Sequence, residues 1–220
     1  STLPSISKEE IDRLLALYES EMDDDADNRL RKYTERIWAT LTKEERIILT
    51  KYTQTYSYLN EPLRGMSYYG VRAREEFDHD LPILTRAIEK FAMPQNTVVR
   101  RGVSNFTIDS LGYDLGSLKK GDVFVDQGFL STAVHRHKGF SESYNLVIVV
   151  PKGAKGVYAE PFSHYTDYHK FDYDDEIIWD GKSVETINSE MEWIGQRGSQ
   201  FKVLKKQGKT IYLQMIGQLQ

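Results

Sequence analysis

Neither glycine nor proline occurs between Ser5 and Glu61, and this absence constrains the fold more than any other feature of the chain. Inside a helix Gly costs about 1 kcal/mol and Pro about 3 kcal/mol relative to Ala, so a long stretch free of both suits helices. The apolar residues repeat accordingly. Ile11, Leu14, Leu15, Tyr18 and Met22 share one helical face behind the capping pair Ser7 and Glu10. The run Asp23-Asp24-Asp25 marks a break, and Leu30, Tyr33, Ile37, Trp38 and Leu41 form a second face. Thr42 and Glu45 have capping-box spacing and lead Ile47, Ile48 and Tyr52. Leu84, Ala87, Ile88 and Phe91 predict a further helix, with Pro82 near its first turn.

From Thr97 the pattern changes to short strands. Candidates are Thr97–Val103, Asp122–Val125, Phe129–Val134, Leu146–Val150, Gly156–Glu160, Glu190–Ile194, Phe201–Lys205 and Thr210–Ile216. Gln207-Gly208-Lys209 reads as a hairpin between the last two. Strand follows strand without helical patterns between, so pairing should be mainly antiparallel. The expected fold is α+β, with N-terminal helices packed on a mainly antiparallel β-sandwich core. A chain of 220 residues fits one domain, residues 1–42 being a helical N-terminal extension and 43–220 the core. Phe162–Asn188, rich in Asp and Tyr, lacks periodicity, and a loop of that length in a compact domain is usually functional or mobile.

Composition removes several classes of function. The net charge is −4 and the basic residues are scattered, so nucleic acid is not an expected partner. The absence of cysteine excludes disulfides, thiolate metal sites and a Cys nucleophile. His79, His135, His137, His164 and His169 form no ligating set, and no metal is expected. No apolar stretch is long enough to cross a membrane. Ser1-Thr2-Leu3-Pro4 has neither the basic region nor the apolar run of a signal peptide. No Gly-rich dinucleotide fingerprint occurs, which argues against a recycled redox cofactor.

Four polar segments interrupt the apolar pattern. Tyr52-Thr-Gln-Thr-Tyr56-Ser-Tyr-Leu-Asn60-Glu-Pro-Leu-Arg64-Gly65 follows a helix. Arg100-Arg101-Gly102 ends a β-branched run, and alternation turns at least one arginine toward a cleft or interior, where it needs an anion. Gln127-Gly128-Phe129-Leu130-Ser131-Thr132-Ala133 places hydroxyls on both faces of a strand. Glu190 and Glu192, at i and i+2 of a strand, share a face, where two carboxylates repel unless a cation or a task keeps them there. Taken singly, each has an ordinary alternative: a helix end, an edge strand, a small-hydroxyl strand, a solvated strand face.

Together and in this order the segments resemble the bacterial ADP-ribosyltransferase exoenzymes of the Arg–Ser–Glu class, which include actin-modifying binary toxins and Rho-modifying exoenzymes. The resemblance runs from about Glu44 to Ile216. It rests on Y-T-x-x-Y-x-x-x-N-x-x-L-R from Tyr52, on Arg100, on G-F-L-S-T-A from Gly128, on G-V-Y-A-E-P from Gly156, on Glu190 with Glu192, and on R-G-S-Q-F-K-V from Arg197. Val99 stands where the family commonly has an aromatic residue, and Ala133 replaces the last serine of S-T-S.

The resemblance implies mono-ADP-ribosyl transfer, with NAD consumed as substrate. Nicotinamide leaves, the ribose passes through an oxocarbenium-like transition state, and ADP-ribose goes to a protein side chain. By resemblance Arg100 anchors phosphate with help from Arg101 and Gly102. Ser131 orients Glu192, Thr132 holds the strand, and Glu192 meets the ribose. Glu190 meets the acceptor. Glutamate at that position implies arginine, whose guanidinium must lose a proton before it can attack. Tyr52, Asn60 and Arg64 would line the NAD cleft, Tyr52 stacking on adenine and Asn60 bonding the adenylate side. Phe140 would pack on nicotinamide. The acidic, aromatic loop before Glu190, with Trp179, would recognise the target. The resemblance further implies a monomeric bacterial toxin or effector, secreted and acting in the host cytosol on a protein such as actin. Two alternatives stand beside it: an NAD glycohydrolase, and an inert binding module of the same fold.

Overall fold

The structure, a computed structural model, describes residues 1–20, 25–68, 70–103, 114–135, 143–163 and 190–219. Five helices lead the chain: α1 (Lys8–Ser20), α2 (Ala26–Trp38), α3 (Lys43–Gln54), α4 (Ser57–Leu63) and α5 (Val71–Glu89). The Thr42–Glu45 capping box is complete. Thr42 Oγ1 accepts the Glu45 N–H at 3.1 Å, and Glu45 Oε1 accepts the Thr42 N–H at 2.9 Å. At α1, Ser7 Oγ accepts the Glu10 N–H, but the Glu10 carboxylate turns to Arg13. Two helical features depart from the sequence pattern. α4 is a separate short helix where only a helix end and loop were expected. α5 begins at Val71, so Pro82 lies within it and not near its first turn. The first half of α5 is mainly charged and buries only Phe77 and Asp80, so it carries no apolar stripe to read.

Eight strands follow: β1 (Thr97–Val103), β2 (Val123–Asp126), β3 (Leu130–Ala133), β4 (Tyr144–Val150), β5 (Gly156–Tyr158), β6 (Glu192–Gly195), β7 (Ser199–Gln207) and β8 (Thr210–Gly217). They join in the order β2-β7-β8-β4-β1-β3-β6-β5. Among the described strands only β4 and β8 pair in parallel. β1 and β3 meet through the single pair Arg100↔Ala133, so the sheet splays there. Phe124 and Phe201 near one end and Tyr158 at the other bury into the same cluster as Val99, Ile148, Leu213 and Trp193. The sheet therefore closes over a shared core, the α+β sandwich that the strand spacing predicts. Glu190 is an exception to the expected strands. β6 starts at Glu192, and Met191 adopts φ 48°, so Glu190 and Glu192 do not lie on one regular strand face.

Helices cover two outer faces. Ile11, Leu14 and Leu15 of α1 pack on Val98, Val147, Val149 and Tyr212. Trp38 and helices α3 to α5 pack on Phe129, Val157, Phe162 and Ile194. This second contact sets Tyr52 in the last turn of α3 against β3 and Asn60 of α4 against the turn before it, where the polar residues gather.

Candidate active site

A hydrogen-bonded relay runs from the turn before β3 to the first residue of β6. Asn60, 2% exposed, accepts the Phe129 N–H on Oδ1 at 2.9 Å. That bond fixes which way its amide points, and Nδ2 donates to the Tyr52 hydroxyl at 2.9 Å. Tyr52 OH and Ser131 Oγ are 2.8 Å apart. Ser131↔Ile194 and Ala133↔Glu192 are register pairs, so Ser131 and Glu192 are diagonal neighbours on one face. The Ser131 hydroxyl lies beside the Glu192 carboxyl and favours its ionised form. Each hydroxyl has one proton, so if Ser131 gives its own to Glu192, Tyr52 must give its own to Ser131. All links then donate toward the carboxylate.

Glu192 needs that support. Burial and the neighbouring Glu190 push its carboxyl up to about 8, against the opposing Ser131 hydroxyl and the Arg101 charge. Glu190 is raised too, by burial and by Glu160. Burial pushes the Tyr52 hydroxyl up to about 12, so Tyr52 stays a neutral donor. Three carboxyls, from Glu160, Glu190 and Glu192, thus act on one another. Glu160 is held by Arg31 at 3.2 Å and by the Met191 N–H at 2.8 Å.

The adjacent arginines take different roles. Arg100 directs Nε to Asn145 Oδ1 at 3.1 Å on β4. Arg101 turns to the relay, where Nη1 donates to the Ser131 carbonyl at 2.9 Å. Its buried Nε has no partner among the described residues. Burial and the Arg64 charge make its cation unfavourable, with Asp126 as partial compensation. The Arg101 charge favours the ionised form of Glu192. Arg64 is committed elsewhere. Its guanidinium forks onto Asp126 at 3.0 and 3.1 Å, and both side chains are almost fully buried. Asp126 also accepts the Gly128 N–H, so the pair shapes the turn that presents Phe129. A Cβ on Gly128 would lie 2.8 Å from Arg64 Nε, so any larger residue would push the guanidinium off Asp126.

The expected residues are therefore brought together only in part. Ser131, Glu192, Tyr52, Asn60 and Arg101 form one connected group, with Glu190 beside it. Tyr52 is wholly buried with its ring edge-on to Phe129, so it is not open for stacking. The exposed ring is Tyr56, 6.1 Å from Tyr52 between centroids. Thr132 Oγ1 donates to the Trp193 carbonyl at 2.9 Å, and Gly102 pairs with Asn145. Phe140, Trp179 and all of the 164–189 loop lie outside the described residues. Asp126 and Glu160 were not singled out by sequence. Their signal is a carboxylate in an apolar strand context, Val-Phe-Val-Asp126 and Val-Tyr-Ala-Glu160. Among the described residues no group of carboxylates and histidines is arranged to hold a metal, and no helix is long and apolar enough to cross a membrane.

This arrangement suits a ligand with an anionic part for Arg101 and a hydroxyl or cationic part for Glu192. Comparison with known proteins gives the same direction. The ADP-ribosyltransferase exoenzyme profile matches residues 27–214. The fold is similar to Plx2a, an ADP-ribosyltransferase toxin from Paenibacillus larvae (TM-score 0.63, 18% identity, 89% of this chain and 96% of that one). It is also similar to the Clostridium limosum C3 exoenzyme (0.61, 17%, 87% and 95%). The ADP-ribosylating toxin BECa of a binary enterotoxin of C. perfringens, solved with NADH, gives 0.62 at 16% identity, over 86% of this chain and 47% of that one. No curated protein matches the chain.

Proposed function

The chain belongs to the ADP-ribosyltransferase exoenzyme family, transferases that use NAD, and from that premise we propose that it moves ADP-ribose from NAD to an arginine of a target protein. The observation that carries this reading is the relay ending on Glu192, whose carboxyl feels both the Arg101 and the Glu190 charge.

Arg101 takes the pyrophosphate, because its buried guanidinium is under-neutralised and its Nε has no partner among the described residues. Arg100 supports β1 from its bond to Asn145. Tyr56 offers the open aromatic face for a base. Glu192, ionised, accepts a ribose hydroxyl and faces the developing oxocarbenium. One preorganised group of this kind is worth about 2.7–4 kcal/mol. The C1′–N bond breaks and its electron pair leaves with nicotinamide. A guanidino nitrogen of the acceptor then bonds C1′, and its proton passes to Glu190. A carboxylate both attracts that cation and takes the proton, which a glutamine could not do. Similarity to toxins supports an exported bacterial effector that acts in a host cytosol, with actin one candidate target.

The test is incubation with labelled NAD and a cell lysate, followed by mass spectrometry of the modified peptides. Label on arginine is expected. Label on asparagine, glutamine or cysteine overturns the acceptor assignment. Nicotinamide release indifferent to any acceptor makes the protein a hydrolase, and no release at all overturns the enzymatic reading.

A further inference from the structure

Met191 is the only non-glycine residue with a left-handed backbone among those described, at φ 48°. A long side chain adopts this conformation only where its surroundings impose it. Here both backbone groups are tied. The Met191 N–H donates to Glu160 Oε1 at 2.8 Å, and its carbonyl accepts the Val134 N–H at 3.0 Å. The next carbonyl, of Glu192, accepts the Ala159 N–H at 2.8 Å. The side chain of Met191 joins the central core. A regular strand would have set Glu190 and Glu192 on one face. The turn at Met191 ends that alternation, so the relation between the two carboxyls is decided at this residue.

The carboxylate that holds the turn is itself held from a distant part of the chain. Glu160, 2% exposed, accepts Arg31 Nη2 on its second oxygen at 3.2 Å. Arg31 Nε donates to Asp27 at 2.8 Å, and the Tyr158 hydroxyl donates to the same Asp27. Thr34 Oγ1 donates to the Tyr158 carbonyl at 2.9 Å. Three residues of α2 thereby fasten the segment 158–160, whose last residue grips Met191.

We propose that Glu160, clamped by Arg31 of α2, is a positioning residue that sets the geometry of the Glu190–Glu192 pair through the Met191 N–H. This rests on the reading of Glu190 and Glu192 given above. α2 then serves the site without touching a ligand. Burial raises both carboxyls and Glu160 adds to it; at Glu192 the neighbouring Glu190 also raises, while the Ser131 hydroxyl and Arg101 that face it oppose the rise.

Three variants separate positioning from mere packing. E160A removes the acceptor and leaves Arg31 without Glu160. E160Q/R31M keeps an acceptor for Met191 while it removes the Glu160–Arg31 ion pair, and Asp27 keeps the Tyr158 hydroxyl as a donor. E160Q alone removes one negative charge near Glu192. In nicotinamide-release assays below each variant's Tm, E160A is expected to lose about 100-fold in kcat with KM within about twofold, the scale of a small misplacement at a reacting centre. E160Q/R31M, which keeps the acceptor but gives up the clamp, is expected to lose less, about tenfold. Equal losses in the two, or no loss in E160A, overturn the proposal. A carboxyl NMR titration with labelled glutamate gives a readout free of activity. The Glu192 midpoint should fall in E160Q, because a nearby negative charge is gone. It should become perturbed or broadened more in E160A than in E160Q/R31M. An unchanged Glu192 signal in E160A also overturns the proposal. If wild-type protein releases no nicotinamide, the function proposed above fails, and the titration still decides this inference.

Discussion

Replacing Tyr52 by phenylalanine removes one oxygen from the middle of the relay and leaves the ring against Phe129. Asn60 Nδ2 loses its acceptor where Asn60 is 2% and Tyr52 0% exposed. A buried donor left unpaired costs about 1–3 kcal/mol. For a chain of this size each kcal/mol moves Tm by roughly 2–4 °C, so a fall of about 2–12 °C is expected. The effect on Glu192 has a definite sign. Ser131 no longer receives a proton from Tyr52, so its own support of the Glu192 carboxylate weakens. The ionised form loses support, and the Glu192 midpoint moves above its value of about 8. Nicotinamide release, followed against pH, should show its acid limb displaced upward and its rate near neutrality reduced. Tyr52 acts only through Ser131, so Y52F and S131A should not add. If Y52F/S131A loses the product of the two single losses, to within the ~0.3–0.5 kcal/mol expected of independent sites, the relay is refuted.

The raised Glu192 carboxyl should also appear in stability. In the unfolded chain it titrates near 4.5 and in the folded chain near 8, so between those values the folded state binds more protons and stability falls as pH rises. E192Q cannot ionise, and its Tm advantage over wild type should grow from near 4.5 to above 8; a constant difference refutes the assignment. At Gly156 an added Cβ would lie 2.1 Å from Trp193 Cζ2, in a core where Trp193 is 1% exposed. G156A should therefore lose about 1–3 kcal/mol in chemical unfolding, and unchanged stability would show that Trp193 can move aside.

Local signals in the sequence were read well where the physics is local. The Thr42–Glu45 box caps α3, and every proposed strand appears with small shifts at its ends. Glu190 is the main exception, because alternation assumes a regular backbone and Met191 does not have one. α4 and the first half of α5 were missed for want of an apolar stripe. At the candidate site, residue types were legible but partners were not. Arg64 reads as a cation awaiting a phosphate until Asp126, far along the chain, is found to hold it. Arg100 and Arg101 cannot be told apart by spacing. Their difference arises where β1 and β3 part after one register pair, which lets Arg101 reach Ser131 and Glu192. Tyr52 looked like a stacking ring and is instead a buried proton donor, while Tyr56 keeps the open face.

The strand order carries a consequence for how such a chain comes to be folded. β8, the latest of the described strands in sequence, is not an edge; it sits between β7 and β4 and supplies the one parallel ladder among them. Until residues 210–217 arrive, β4 and β7 each present an unsatisfied backbone edge, and sequence-distant pairing of this kind forms slowly. The nascent protein must therefore wait for its last strand before the sheet can join, with sticky edges bare meanwhile. A product cut short before Thr210 should aggregate instead of folding into a smaller version of itself.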